Sequence, residues 1–129
     1  MNSTHNIGVQ GPILIKLCHF DACNRIRTRD LLDESLSPAE LGNRVEKIGQ
    51  KPLSDGLSAD VENNIYITDV EHCGIARMAP DGTLQTLIKD KRVLWADGLS
   101  FGPDNYIYLT DSNIPHILTA FMNPHQKNG

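Results

Sequence analysis

Ser54-Asp-Gly-Leu-Ser-Ala-Asp-Val-Glu-Asn-Asn-Ile-Tyr-Ile-Thr-Asp69 aligns without a gap on Ala96-Asp-Gly-Leu-Ser-Phe-Gly-Pro-Asp-Asn-Tyr-Ile-Tyr-Leu-Thr-Asp111. Asp55 and Asp97 stand 42 residues apart, and nine of the sixteen aligned positions are identical. Ile75 and Ile117 keep the same offset further along the chain. Self-similarity at a fixed period marks a repeat architecture, in which one unit cannot bury its apolar face alone and stacks on its neighbour.

Within the first copy the pattern is that of short antiparallel strands. Leu57–Asp60 is a first strand, Asn63-Asn64 a hairpin turn and Ile65–Thr68 a second strand, alternating apolar and polar residues. Gly74–Met78 reads as a third strand, Pro80-Asp81-Gly82 as a turn and Leu84–Ile88 as a fourth strand. Leu99–Gly102 and Ile107–Thr110 are the counterparts in the second copy. Four short strands in about 40–45 residues is the period of a β-propeller blade, whereas helical solenoids of that length show a 3.6-residue apolar period that is absent here. The expectation is an all-β fold holding about two blades, residues 52–94 and an incomplete 95–129.

Upstream, Ser37, Pro38 and Glu40 form a capping box with proline at the first helical position. Leu41, Val45 and Ile48 then fall on one helical stripe, and Gly49 stands where a helix would stop. The spacing predicts an inserted helix over 38–48, within a segment 37–49 lying outside the blades. Cys23–Thr28 reads as a strand with Arg25 and Arg27 on one face and Ile26 on the other. Residues 1–22 are an atypical N-terminal segment with no assigned structure, ahead of a partial propeller over 23–129.

Composition narrows the function classes. A net charge of −4 and a pI near 5.6 give no basic surface for nucleic acid. The apolar run Pro12–Leu17 is too short to span a membrane, and Met1–His5 lacks the features of a signal peptide, so the chain as written reads as cytoplasmic. Three cysteines, Cys18, Cys23 and Cys73, fit buried or idle thiols better than a disulfide framework or a metal knuckle.

At Lys51-Pro-Leu-Ser-Asp-Gly-Leu57 and Leu94-Trp-Ala-Asp-Gly-Leu99, together with Leu31-Leu-Asp33 and Leu36-Ser-Pro-Ala-Glu-Leu41, the sequence resembles the bacterial branch of the yellow/major royal jelly protein family. The resemblance covers about Arg25 to Asp111. It implies a six-bladed propeller binding a small aromatic or amine-like ligand in a central tunnel, in a family whose members are mostly exported. Six blades of about 42 residues need about 250 residues, so the resemblance reads this chain as a C-terminal fragment that does not function alone. A weaker resemblance connects the Asp-Gly-Leu segments to the gluconolactonase/regucalcin-like (SMP-30) propellers. There Asp97 stands where that family has an aspartate helping to hold a divalent cation, and Asp55 where it has an asparagine.

The candidate ligand-binding residues are Asp55, Asp97 and Trp95, expected at the tunnel mouth. Asp55 and Asp97 are also the candidate ligands for a divalent cation of the Ca²⁺ type, since hard carboxylate oxygens suit it, and no catalytic residue is assigned. Asp before Gly is equally an ordinary turn residue, and a tryptophan in a blade core is the plainer alternative for Trp95. Tyr66 and Tyr108 are read as packing residues, His72 and His116 as loop residues, and Asp69 and Asp111 as turn caps. The alternative functions are a metal-dependent lactonase-like hydrolase and a non-functional remnant or interaction module. Open flanks on both blades predict self-association.

Overall fold

The computed structural model describes residues 12–15 and 21–116. Within them the protein is all-β, with three antiparallel sheets. The first holds β1 (Pro12–Ile15), β2 (Ala22–Arg27) and β3 (Glu46–Gln50) in that order. In the second, β4 (Leu57–Ala59), β5 (Ile65–Asp69), β6 (Gly74–Met78) and β7 (Leu84–Lys89) run as a consecutive meander. The third pairs β8 (Ala96–Phe101) with β9 (Ile107–Asp111). Two one-turn helices, α1 (Thr28–Leu31) and α2 (Pro38–Gly42), lie in the connection from β2 to β3.

The turns explain why the meander forms. Asp60 Oδ1 accepts the backbone N–H groups of Glu62 and Asn64, both at 2.9 Å, and Oδ2 accepts the Asn64 amide at 2.8 Å. Asn63 then sits at φ 65°, a left-handed conformation that Asn tolerates better than most residues. Burial raises the Asp60 carboxyl's pKa, but donors from Asn64, Glu62 and Tyr66 outweigh it and hold the group below its ordinary value. At the β6–β7 turn Gly82 has φ 89°, and a side chain there would also run into the Ile48 carbonyl.

Alternation along β5 supplies two faces. Ile65 and Ile67 project to one side, where Met78 and Ala76 stand opposite them in register. That side carries the core cluster of Cys23, Ile65, Ile67 and Met78, with Ile48 and Leu57 packed on it, so it is closed by the first sheet. Each such aliphatic side chain contributes about 1.5–3 kcal/mol by leaving water. On the other side β8 lies against β4 and β5. There the Tyr66 and Phe101 rings meet edge to face, with centroids 5.2 Å apart. β5 is therefore covered on both faces, while β7 at the sheet's outer edge is exposed throughout. Cys23 is a free thiol in the core; burial pushes its pKa up, partly offset by nearby Lys51, which makes it a poor nucleophile.

The 42-residue repeat is repeated in hydrogen bonds. Asp60 N–H donates to Asn64 O at 3.1 Å and Gly102 N–H to Tyr106 O at 2.9 Å. Val70 N–H donates to Leu53 O and Ser112 N–H to Trp95 O, each at 3.1 Å. Asn105, the counterpart of Asn63, also has positive φ, 61°. Sequence identity at this offset is thus matched by backbone geometry.

Two expectations are corrected. The helix over 38–48 starts as expected, with both halves of the Ser37–Glu40 capping box made, but it ends at Gly42. Residues 46–50 pair instead with β2, where Arg25 faces Glu46 across the strands at 2.9 Å, and Gly49 is a strand residue opposite Cys23. Gly42 weakens a helix by about 1 kcal/mol relative to alanine. A cross-strand ladder and the burial of Ile48 against the core then outweigh the helical stripe. The segment assigned no structure also contributes a strand, β1, paired with β2. The Ile75–Ile117 correspondence, Cys18, and the part of the second unit beyond residue 116 lie outside the described residues.

Candidate functional site

The two Asp-Gly-Leu segments are each anchored by a threonine on the following strand. The Thr68 hydroxyl, fully buried, accepts the backbone N–H groups of Asp55 at 2.9 Å and Gly56 at 2.8 Å. At the corresponding position the Thr110 hydroxyl accepts the N–H of Gly98 at 3.0 Å. A threonine serves because its hydroxyl offers two lone pairs at the height of the neighbouring strand's backbone.

The two segments lie against each other. A side chain at Gly56 would collide with the Asp97 carbonyl oxygen, and it would come within 3.2 Å of Gly98 Cα. Glycine is therefore required at 56 for the close approach of the two copies. Across that junction the Trp95 indole Nε1–H donates to Asp55 Oδ2 at 2.9 Å. Trp95 is itself held by its backbone. The Asp111 carboxylate accepts the N–H groups of Leu94 at 2.6 Å and Trp95 at 3.2 Å. Burial raises the Asp111 pKa, but donors from Asn113, Trp95 and Leu94 bring it below the ordinary carboxylate value.

Asp97 is set differently from Asp55. The β8–β9 register passes from Ala96↔Asp111 to Gly98↔Thr110, which leaves Asp97 as the extra residue of a bulge. A bulge re-aims its side chain out of the regular alternation, and Asp97 is exposed. The junction thus presents one carboxylate fixed by an indole and one exposed carboxylate on the adjoining strand. Asp55 and Asp97 are not members of the three-donor metal-type cluster found among the described residues, and Ca²⁺ takes six to eight oxygens.

Of the residues singled out from sequence, Asp55 and Trp95 are in direct contact, and the Asp97 carbonyl lies against Gly56, the residue after Asp55. Tyr66 packs on Phe101 and reaches Asp60 Oδ2 at 3.3 Å, whereas Tyr108 is exposed and lies over Gly102. Sequence reasoning missed the positioning roles of Thr68, Thr110 and Asp111. The signal lies in the Thr-Asp pair that ends both repeats. No family model matches the chain, and a comparison with curated proteins finds no match.

Proposed function

We propose that this chain supplies two adjoining blades of a yellow/royal-jelly-like six-bladed propeller, and that its Asp55–Trp95–Asp97 junction belongs to the mouth of a tunnel binding a small organic ligand. The observation that carries the reading is the contact between the two repeats. Strands that begin with the same motif lie side by side, both motifs are tied down by threonine hydroxyls, and an indole from one unit bonds the carboxylate of the other. Adjacent innermost strands of a propeller bring equivalent residues together in this manner. An aromatic amine suits the junction, since its ring stacks on Trp95 while its ammonium sits between the carboxylates. Completing the tunnel takes further blades, from a longer chain or from other copies, so this chain alone binds weakly.

Trp95 is the single tryptophan of the sequence, which makes its fluorescence the test. Tyramine should change Trp95 emission saturably in the millimolar range, and Asp55→Asn should weaken that response several-fold. A folded chain whose emission stays flat would overturn the reading. Micromolar Ca²⁺ binding lost in Asp97→Asn would replace it with the lactonase-like alternative.

A further inference from the structure

The turn from β5 to β6 carries chemistry that the tunnel-mouth reading does not use. Asp69 ends β5 almost fully buried, and the turn folds back through Cys73, which has φ 56°. His72, just before it, lies over the carboxylate. His72 N–H donates to Asp69 Oδ1 at 3.0 Å, and its Nδ1 lies 2.9 and 3.0 Å from the two carboxylate oxygens. Glu71 Oε2 accepts the N–H of Leu53 at 3.0 Å. Donor atoms from Asp69, Glu71 and His72 all lie within 4.8 Å of one another.

We propose that Asp69, Glu71 and His72 form a binding site for a divalent transition-metal ion of the zinc class, open toward the adjoining cleft. The donor set of two carboxylates and one imidazole suits borderline ions such as Zn²⁺, whereas Ca²⁺ prefers oxygen alone. Ligand atoms at about 2.0–2.2 Å from a metal stand about 3.4 Å apart in a tetrahedron, so a small rotation of the exposed His72 and Glu71 side chains closes the set. Asp69 and His72 also line a cleft of about 340 Å³, together with Pro52, Thr86 and Lys89. Three protein ligands leave a fourth position facing that cleft, the arrangement of zinc sites that admit water or substrate.

The second copy argues that this trio is more than a way to build the turn. Forty-two residues on stand Asp111, Asn113 and Ile114, with neither the second carboxylate nor the imidazole. There Asp111 itself holds the preceding segment, through Leu94 and Trp95. In the first copy Glu71 takes over that task at Leu53, and Asp69 is left to His72. One carboxylate suffices for the turn; the first copy has two and a histidine.

Calorimetry of the folded full chain with ZnCl₂, supported by the visible spectrum of the Co²⁺ form, tests the site. One ion should bind per chain in the micromolar range, with CaCl₂ ineffective. His72→Ala, at an exposed position, should weaken Zn²⁺ binding by about tenfold or more. Glu71→Gln, which keeps an oxygen for Leu53 N–H, should weaken it comparably, while Asp97→Asn should leave it unchanged. Absence of binding tighter than millimolar, binding that survives both His72→Ala and Glu71→Gln, or binding abolished by Asp97→Asn would overturn the proposal. Because the Asp97 variant probes the junction and the His72 variant the turn, the two sites fail or stand separately.

Discussion

Residues 54–69 and 96–111 share a sequence pattern and a set of backbone hydrogen bonds, yet they live in different surroundings. In the first copy Ile65, Ile67 and Thr68 are sealed, because β5 has strands on both sides and sheets on both faces. In the second, β9 pairs with β8 alone among the described residues, and Tyr106 and Tyr108 are 67% and 56% exposed. Local sequence thus sets turns and threonine anchors that recur in both copies, although Thr68 accepts two N–H groups and Thr110 one, and Asp97 sits in a bulge. Burial is set by neighbours, and among the described residues the second copy has fewer of them. Equivalent substitutions in the two copies should therefore have unequal effects.

The largest contrast is expected in the apolar strand positions. Ile67→Ala should destabilise by about 3–4 kcal/mol, since it leaves a cavity in the core cluster. Its counterpart Leu109→Ala, only partly buried, should cost about 1 kcal/mol in urea melts. Equal losses at the two positions would mean that the copies are equally packed. A smaller contrast should appear at the anchors. Thr68→Val leaves two N–H groups without their acceptor and should cost about 2 kcal/mol, and Thr110→Val, exposed and accepting one, less than about 1 kcal/mol.

The smallest effect is expected on acidification. Asp60 and Asp111 both have pKa values lowered in the fold below the ordinary 3.8. A depressed carboxylate contributes stability that is fully present above its unfolded pKa and is lost as pH falls through the folded one. Melting should thus be insensitive to these groups near neutrality and decline as pH drops below about 4. Asp60→Asn should flatten that decline from the first copy and Asp111→Asn from the second. A decline indifferent to both variants would place the acid sensitivity elsewhere.

Much of the meander was legible in the sequence. Gly74–Met78 is a strand over its whole expected length, and the ends of β4, β5 and β7 differ from expectation by a residue, because turn residues such as Asn63 and Gly82 punctuate the chain unambiguously. The β2–β3 region was harder. Leu41, Val45 and Ile48 satisfy a helical period, but the pairing of β3 with β2 depends on partners 21 to 28 residues away that periodicity does not see. At the site, the motif positions of Asp55, Trp95 and Asp97 were legible as a repeat. The indole–carboxylate bond between them was not, because it joins residues 40 apart whose meeting depends on how the sheets stack.

The proposed function rests on the two repeats being adjoining units of a larger array, with further units or copies covering the surfaces that the described residues leave exposed. Among the described residues β9 leaves an edge beside the exposed Tyr106 and Tyr108, and the exposed β7 bears Leu84, Leu87 and Ile88, so the two surfaces differ. We expect self-association through two such different surfaces to be head-to-tail, closing as a ring or running on as an open assembly. Size-exclusion chromatography with light scattering on the isolated chain, followed by a thermal melt, tests this directly. The expected result is a species heavier than the 14.3 kDa monomer, or a monomer that melts without cooperativity. A monodisperse 14.3 kDa monomer unfolding cooperatively above about 50 °C, as an ordinary self-contained domain does, would contradict it.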